Sequence, residues 1–326
     1  MKYKVLLTRE IIKEAMDYLK AHAEVEVCWK KRAPEKREII QKIKDKQGLL
    51  CLLTDRIDRE IIDSAPQLKI ISNCAVGYNN IDYHYAISKR IWVTNTPGIL
   101  TETTADLTWA LILSVARMIP EADKFTRKKR FKGWDPLLFL GKDVYGKTIG
   151  IIGLGRIGKA VAKRATGFSM KVLYWDKIKL QNKEEKSIGV RFEELENLLK
   201  EADIITIHVP LNEQTFHLMS RERIYMMKKG AILINTSRGE VIDEKSLADA
   251  LEDGHLWGAG LDVYEKEPEV YDKLLKLNKV VLLPHIGSAT YETRLKMSMM
   301  AAKNLAMGLE GKIPENLIDE WKTVSS

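Results

Sequence analysis

Short apolar segments alternate with stretches of helical periodicity through the first part of the chain. The segments predicted to be strands are KYKVLLT near the N-terminus, GLLCLLT at 48–54, LKIISNCAV at 68–76 and IWVTNT at 91–96. Between them, apolar positions follow helical spacing, as in EIIKEAMDYLKAH. Strands that alternate with helices in this way predict a parallel sheet with helices on its faces.

A second series of strands is predicted after a break at Pro97-Gly98 and one long helix, from about Thr101 to Lys129. Its six apolar segments are KTIGIIG, KVLYWD, DIITIHVP, AILINTSRG, GAGLDV and KVVLLPH, and helical patterns separate most of them. A further helix is predicted at about Tyr291 to Glu310. Such a series is typical of a doubly wound sheet, and a length of 326 residues is typical of two domains.

A glycine-rich turn lies between the first strand of the second series and the helix that follows it. Gly153, Gly155 and Gly158 have G-x-G-x-x-G spacing. The first glycine permits a tight turn, the second lets the backbone approach a pyrophosphate, and the third allows close packing of helix on strand. The N–H groups and the positive dipole end of the helix N-terminus would face the phosphates. In this context the pattern predicts dinucleotide binding.

The next strand ends in an acidic residue, Asp176. A carboxylate at that place accepts hydrogen bonds from both hydroxyls of the adenosine ribose and repels the 2′-phosphate of NADP. Lys177 and Lys179 follow and weaken that exclusion. The predicted cofactor is therefore NAD, with NADH preferred over NADPH.

Polar residues gather where the remaining strands of this series end. The third strand leads into His208–Pro210, the fourth into Asn235–Gly239, the fifth into Asp262 and the sixth into His285. In an open parallel sheet the ligand binds beyond the carboxyl ends of the strands. These residues are therefore expected along the path of a bound dinucleotide.

Arg238 and His285 carry the predicted chemistry. A guanidinium binds a carboxylate through two parallel hydrogen bonds, although a salt bridge to a neighbouring acid is the alternative for Arg238. An imidazole exchanges protons near neutral pH, although His285 could instead be a packed core histidine. Glu265 and Glu267 follow the fifth strand, and the spacing does not decide which of them would stabilise the protonated imidazole. Together with a nicotinamide cofactor, these groups predict reversible hydride transfer between NADH and a 2-keto acid.

The charge balance narrows the expected partners. The chain has 53 Lys and Arg against 45 Asp and Glu, a formal net charge of +8. Its densest basic run, Arg127–Lys132, has no nucleic-acid recognition motif beside it, so a nucleic-acid partner is not expected. A mild positive balance suits the attraction of a small anionic substrate. Neither a signal peptide nor a transmembrane helix is expected, so no membrane partner is predicted.

Three cysteines, Cys28, Cys51 and Cys74, lie in the first part of the chain. No CxxC motif or Cys/His cluster groups them, so a metal site is not expected. Unpaired thiols in apolar surroundings are typical of core packing in a reducing compartment. The predicted location is therefore the cytoplasm.

Six segments together resemble the D-isomer-specific 2-hydroxyacid dehydrogenase family. They are AVGYNNID at 75–82, VTNTPGILTETTADLTWALIL at 93–113, GLGRIG at 153–158, NTSRGEVID at 235–243, GAGLDVYEKEP at 258–268 and LLPHIGSAT at 282–290. The similarity covers nearly the whole chain. Within the family the chain looks most similar to glyoxylate/hydroxypyruvate reductases, especially those of archaeal type, through SNCAVGYNNID and FKGWDPLLFLGKDVYGKTIG.

The resemblance implies two Rossmann-like α/β domains, each with a doubly wound parallel sheet. Residues 1–99 plus 287–326 would form a flavodoxin-like substrate-binding domain, and residues 100–286 an inserted NAD-binding domain. The resemblance also implies a homodimer formed through the helix after Thr101. The substrate would be a small 2-keto acid, reduced to the D-2-hydroxy acid.

The resemblance also assigns individual residues. Arg238 would bind the substrate, His285 would be the acid/base, and Glu267 would be the acidic partner of that histidine. Backbone N–H groups of the loop that holds Val76 and Gly77 would bind the substrate carboxylate. Trp134 would wall the pocket, the alternative being an ordinary packed tryptophan. The residues expected to bind the cofactor are Thr104, Gly153, Leu154, Gly155, Arg156, Ile157, Gly158, Asp176, Pro210, Thr215, Thr236, Ser237, Arg238, Asp262, His285 and Gly287.

Three alternatives stay open at this point. D-3-phosphoglycerate dehydrogenases of the family often carry an arginine where this chain has Asn73, and D-lactate dehydrogenases typically show a tyrosine-containing substrate loop. From another class, the same fold serves as an NAD-sensing corepressor, but the joint presence of Arg238, Glu267 and His285 speaks against a scaffold alone. The sequence therefore predicts an NAD(H)-dependent reductase of glyoxylate or hydroxypyruvate.

Overall fold

The structure is a computed structural model that describes residues 2–29 and 32–324. Its contacts divide the chain into two compact units, Met1–Leu100 with Ala289–Ser326, and Thr101–Ser288. The sequence predicted domain boundaries after residues 99 and 286, and the boundaries between the two units lie within two residues of these positions. The roles predicted for the two domains stay predictions.

The strands and helices alternate along most of the chain. The strands are β1 Tyr3–Arg9, β2 Ala23–Trp29, β3 Gly48–Cys51, β4 Ile70–Asn73, β5 Trp92–Thr94, β6 Thr148–Ile152, β7 Lys171–Trp175, β8 Arg191–Phe192, β9 Ile204–Ile207, β10 Ile232–Asn235, β11 Gly258–Leu261 and β12 Val280–Leu282. The α-helices are α1 Lys13–His22, α2 Lys36–Ile43, α3 Arg59–Asp63, α4 Tyr83–Ser88, α5 Thr101–Ala116, α6 Ile119–Arg127, α7 Arg156–Ala165, α8 Asn182–Ile188, α9 Leu195–Glu201, α10 Arg221–Met226, α11 Glu244–Glu252, α12 Asp272–Lys276, α13 Tyr291–Leu309 and α14 Asp319–Val324.

The first unit is built on a five-stranded parallel sheet of order β2-β1-β3-β4-β5. This is the flavodoxin-like order, in which the strand sequence reverses beside β1. In β1, Leu6 packs in one apolar core while Val5 and Leu7 pack in the other. Helices therefore cover both faces of the sheet, and α13 contributes Met297 and Leu305 to the second core after the chain returns to this unit.

Four strands were predicted for this unit, and the structure adds β2. Its sequence, AEVEVCW, alternates polar and apolar residues instead of forming an apolar run. The strand is at the edge of the sheet and pairs only with β1, so most of its length is partly exposed. An edge strand needs no continuous apolar run, which is why the pattern missed it.

The second unit is built on a seven-stranded parallel sheet of order β12-β11-β10-β9-β6-β7-β8. Counted within the unit this is the dinucleotide-binding order 3-2-1-4-5-6 with a seventh strand added. Six strands were predicted; the additional one, β8, has two residues and pairs only with β7, which is too short to form a pattern. Both sheets are parallel, so the predicted fold class is confirmed.

The single helix predicted from Thr101 to Lys129 is wrong. The structure has α5 and α6 instead, separated at Met118, which has a left-handed backbone with φ of +53°. Pro120 lies in the first turn of α6. Proline lacks an N–H and its ring clashes with the preceding helical turn, so it is tolerated at a helix start but not within a helix.

None of the described helices is long and apolar enough to cross a membrane.

Candidate active site

The glycine turn after β6 has a backbone that only glycine fits. Gly153 has φ of +92°, and a Cβ added to it would lie 2.8 Å from the carbonyl carbon of His208. A Cβ added to Gly158 would lie 2.1 Å from the carbonyl oxygen of Gly153. Gly155 is the N-cap of α7, with open space where its Cβ would be. The turn thus brings the N-terminus of α7 close to its strand and leaves room for a ligand at Gly155.

Asp176 lies beside this turn, one residue past β7. Its Oδ2 accepts a hydrogen bond from the N–H of Leu154 at 2.7 Å, and its Oδ1 accepts one from Ile178 at 3.4 Å. Lys177 donates to the side chain of Gln214. Of the other predicted residues of the turn, Leu154 is buried, Ile157 is half-buried and Arg156 is exposed. The structure therefore brings the predicted acid and the glycine turn together.

A buried asparagine shapes the loop that carries Arg238. Asn235, the last residue of β10, accepts hydrogen bonds at its Oδ1 from the N–H of Ser237 at 2.9 Å and from its hydroxyl at 2.8 Å. Its Nδ2 donates to the backbone carbonyl of Arg238 at 2.8 Å. Gly239 follows, where an added Cβ would lie 1.8 Å from the carbonyl carbon of Tyr264. The loop is consequently fixed on both sides of the arginine.

Arg238 has no carboxylate partner among the described residues, since none places a carboxylate oxygen within 4.0 Å of its guanidinium. Its Nη1 donates to the carbonyl of Ser237 at 2.7 Å. Burial lowers its pKa, and the negative charges of Glu267 and Glu240 act in the opposite direction. The salt-bridge alternative is therefore not found, and most of the guanidinium N–H groups are available to an anion.

His285 is paired with Glu267. Its Nδ1 lies 2.8 Å from Oε2 and 3.1 Å from Oε1 of that carboxylate. The other candidate, Glu265, contacts Nε2 of His217 instead. Glu267 is itself held by the N–H of Tyr264, at 3.2 Å. The geometry thus decides between the two acids, and in the described chain Nε2 of His285 has no hydrogen-bond partner.

Buried polar side chains hold the turn after His285 through hydrogen bonds. His285 has φ of +55°, and the next two N–H groups, of Ile286 and Gly287, donate to Oδ1 and Oδ2 of Asp262 at 2.7 Å each. The hydroxyl of Thr104 donates to the carbonyl of Gly287 at 3.1 Å. Burial raises the pKa of Asp262, while these N–H groups lower it. The structure shows Asp262 and Thr104 as supports of this turn, and their contacts with the cofactor stay predictions.

His208, the other histidine at a strand end, differs from His285. Both of its ring nitrogens are buried without a hydrogen-bond partner among the described residues. Burial lowers its pKa to about 3, because the charged form would lose its hydration. Its imidazole is therefore neutral at ordinary pH and is not a proton donor for catalysis.

The remaining predicted residues lie in four places. Thr215 closes the turn after β9, where its hydroxyl donates to the carbonyl of Pro210 at 2.6 Å. Thr236 is buried, and its hydroxyl lies 3.0 Å from that of Thr108 on α5. Trp134 is 86% exposed, so the alternative of a packed tryptophan is wrong for this chain by itself. Val76 and Gly77 lie in the first unit, in the loop after β4.

Sequence reasoning missed several residues that shape these loops. Asn95 was not considered, and Asn73 was weighed only as the absence of an arginine, yet their side chains donate to the carbonyls of Val76 and Gly77. A signal was present, since both asparagines lie at carboxyl ends of parallel strands. Among the described residues, no group of three or more His, Cys, Asp or Glu side chains is arranged to hold a metal ion.

Comparisons with known proteins agree on one family. A sequence model of the D-isomer specific 2-hydroxyacid dehydrogenase NAD-binding domain matches residues 109–287. A glyoxylate reductase of Korarchaeum cryptofilum is 49% identical over 98% of this chain and 97% of its own length. A solved protein of Thermus thermophilus is 44% identical, with a TM-score of 0.92 over 97% of this chain and 99% of its own. An NADPH-dependent glyoxylate/hydroxypyruvate reductase of Sinorhizobium meliloti, solved with NADP and malonate, is 28% identical, with a TM-score of 0.87 over 98% of each chain.

Proposed function

We propose, from the premise that this chain belongs to the D-isomer specific 2-hydroxyacid dehydrogenase family, that it reduces glyoxylate and hydroxypyruvate with NADH. The observation that carries the proposal is the pairing of His285 with Glu267. A carboxylate on Nδ1 orients the imidazole and leaves Nε2 without a hydrogen-bond partner among the described residues, which is the arrangement of a general acid. A scaffold that only senses NAD has no use for such a pair.

The glycine turn and Asp176 fit a nicotinamide dinucleotide. The close contacts at Gly153 and Gly158 and the open N-terminus at Gly155 suit a pyrophosphate, and Asp176 next to the turn suits a ribose with free hydroxyls. A solved relative is described with NADP, so the preference for NADH is a proposal supported by Asp176 alone. When bound, the cofactor supplies the hydride that reaches the carbonyl carbon.

Three side chains of this chain would do the remaining work. Among the described residues, no carboxylate pairs with the guanidinium of Arg238. The guanidinium is therefore available to bind the substrate carboxylate and to draw electron density from the adjacent carbonyl. His285 donates the proton from Nε2 to the carbonyl oxygen as that oxygen gains charge. Glu267 contacts Nδ1 and holds the orientation of the imidazole ring, and so acts as a positioning residue. In the first unit, backbone N–H groups of the loop that holds Val76 and Gly77 are proposed to bind a substrate carboxylate.

The proposed function is tested by NADH and NADPH oxidation with a panel of keto acids. The panel contains glyoxylate, hydroxypyruvate, pyruvate, a branched keto acid and 3-phosphohydroxypyruvate. Turnover is expected with glyoxylate and hydroxypyruvate, with a higher kcat/KM for NADH than for NADPH. Strong preference for the phosphorylated acid or for pyruvate would indicate another member of the family. Cofactor binding without turnover of any acid would indicate a scaffold.

Replacing Glu267 by Gln is expected to lower kcat/KM for reduction of glyoxylate by about tenfold or more, because a neutral amide replaces the charge-assisted hydrogen bond to Nδ1 of His285. The amide keeps the shape of the carboxylate but loses its charge. The measurement is kcat/KM for glyoxylate at constant pH. Glu265→Gln is the matched control, because Glu265 contacts His217 and should leave kcat/KM nearly unchanged. A loss in the control but not in Glu267→Gln would contradict the assignment.

We also propose a homodimer whose contact lies near the end of the predicted helix. Half of the residues of α5 are already buried within its own unit. The segment after α6 instead exposes large apolar side chains, with exposed fractions of 86% for Trp134, 76% for Leu137 and 60% for Leu140. An apolar surface of this kind marks an interaction site.

A double substitution, Leu137→Glu with Leu140→Glu, is therefore expected to convert a dimer into a monomer in sedimentation equilibrium. Two charges in the centre of an apolar contact are costly to bury. Ile178→Glu is the control, since Ile178 is 78% exposed outside this segment. If the unsubstituted protein already has the mass of one chain, the dimer is ruled out.

The proposed location is the cytoplasm. Cys28, Cys51 and Cys74 are all unpaired and buried, and such thiols persist in a reducing compartment.

A further inference from the structure

Two asparagine side chains hold the loop that contains Val76 and Gly77. Asn95, just past β5, donates from Nδ2 to the carbonyl of Val76 at 2.8 Å. Asn73, the last residue of β4, donates from Nδ2 to the carbonyl of Gly77 at 2.8 Å. Because β4 and β5 are neighbours in the sheet, both donors come from one edge of the first unit. Two consecutive peptide groups are thereby fixed by side chains, not by secondary structure.

Fixing these carbonyls also directs the N–H groups of the same peptide units. The only cis peptide bond of the described chain is elsewhere, so both units are trans, and in a trans peptide the C=O and the N–H point in opposite directions. The N–H of Gly77 therefore points away from Asn95, and the N–H of Tyr78 points away from Asn73. In the described part of the chain neither N–H has an acceptor. Both residues are partly exposed to solvent.

The amide of Asn73 cannot readily exchange its oxygen and nitrogen atoms. Asn73 is fully buried, and its Oδ1 accepts from the thiol of Cys51 and from Nδ2 of Asn80, each at 3.5 Å. Asn80 is held in turn, since its Nδ2 also donates to the carbonyl of Leu52 at 3.1 Å. A rotated amide at Asn73 would place its oxygen against the carbonyl of Gly77, two acceptors with no hydrogen between them. The donor therefore stays on the side of the loop.

The backbone around Asn95 is fixed as well. Its N–H donates to the carbonyl of Asn316 at 3.2 Å, and its own carbonyl accepts from Nδ2 of Asn304 at 3.5 Å. The chain on both sides of this asparagine is thus tied to the C-terminal part of the same unit. Its side chain projects from a rigid base, which is what a positioning group requires.

We propose that Asn73 and Asn95 are positioning residues for the substrate carboxylate. They hold the loop so that the N–H groups of Gly77 and Tyr78 point at that carboxylate. The inference rests on the proposed function. The two asparagines do not touch the substrate; they determine the direction of two backbone donors that do. The side chains of Asn73 and Asn95 are neutral, so they add no positive charge to this loop. Recognition here depends on the direction of two N–H groups, which is enough for a single small carboxylate.

Asn95→Ala tests this directly. Loss of the amide frees the carbonyl of Val76, so the N–H of Gly77 is no longer aimed at the substrate. The KM for glyoxylate and the inhibition constant of oxalate are expected to rise about tenfold, the effect of weakening a hydrogen bond to a charged group. The KM for NADH should stay within about twofold, since the cofactor residues lie elsewhere. Asn73→Ala is also expected to raise the KM for glyoxylate and the inhibition constant of oxalate.

Two further variants separate positioning from folding. Ser72→Ala removes two buried hydrogen bonds, one to the carbonyl of Ala301 and one from the hydroxyl of Thr94, and neither involves the loop of Val76 and Gly77; this variant should lower Tm with unchanged KM. Asn95→Asp should show the defect at high pH and lose it as pH falls, because a protonated carboxyl can donate to Val76 as the amide does. If Asn95→Ala fails to fold, Asn95→Ser is measured by the same criteria.

Each outcome has a distinct meaning. Unchanged KM and inhibition constants in folded Asn95 and Asn73 variants would overturn the inference, as would an equal rise in Ser72→Ala or a parallel loss of NADH affinity. If the unsubstituted protein reduces none of the keto acids and does not bind oxalate, the proposed function fails instead. Normal activity of the unsubstituted protein with unaffected variants overturns the positioning role alone.

Discussion

Replacing His285 by Asn is expected to lower kcat for reduction of glyoxylate by about 10²–10⁴-fold, the usual contribution of a positioned general acid. Asparagine has the size and polarity to keep the turn over Asp262, so the cofactor residues should be little disturbed. The dissociation constant of NADH, measured by fluorescence, should change little.

His217→Asn is the matched control for this experiment. His217 also pairs with a glutamate near the end of β11, but its partner is Glu265. Its replacement should leave kcat within a few fold of the original value. Comparable losses in the two variants would show that the structure of the 264–267 loop matters and that proton donation by His285 does not.

Replacing Arg238 by Ala is expected to lower kcat/KM for glyoxylate by about 10²–10³-fold, the combined effect of two charge-assisted hydrogen bonds. The guanidinium has no carboxylate partner among the described residues, so its removal leaves no protein anion unpaired there. The loss should therefore appear in keto-acid kinetics and not in stability. NADH binding, followed by calorimetry, should remain nearly intact.

Arg238→Lys refines this second experiment. Lysine keeps the charge but cannot make two parallel hydrogen bonds, so its kcat/KM should lie between those of the original protein and the alanine variant. Arg223→Ala is the control, since Arg223 pairs with Glu196 in an ordinary surface ion pair. Loss of NADH binding together with turnover in Arg238→Ala would contradict the role in carboxylate binding.

Local patterns were enough to find most of the candidate site. The glycine turn, Asp176, Arg238 and His285 each begin within three residues of the end of a strand, and the strands of a parallel sheet end at one edge. The order of strands along the chain therefore already placed these residues together. Their grouping did not depend on the packing of side chains.

The choice between Glu265 and Glu267 could not be made in that way. Both follow β11 within a few residues, and both are close enough to reach a histidine. The decision came from His217, which lies 48 positions before Glu265 and takes that carboxylate for itself. A pairing over such a separation leaves no trace in local periodicity.

The errors in the predicted elements also come from features that the pattern of apolar and polar residues does not show. The edge strands β2 and β8 are only half covered or very short, so burial imposed no apolar run on them. The predicted helix from Thr101 to Lys129 overlooked Pro120, whose effect is on the backbone and not on the pattern of polarity.

The sequence by itself determined the fold class, the family and the residues at the strand ends, because hydrophobic periodicity and motif spacing are properties of neighbouring positions. Only the tertiary structure decided which acid serves His285, that Arg238 lacks a carboxylate partner in the described chain, and that Asn73 and Asn95 hold the loop of Val76 and Gly77. These depend on distances between side-chain and backbone atoms, which no pattern of apolar and polar residues specifies. Such distances arise when strands and loops pack, and they are not encoded in any one segment.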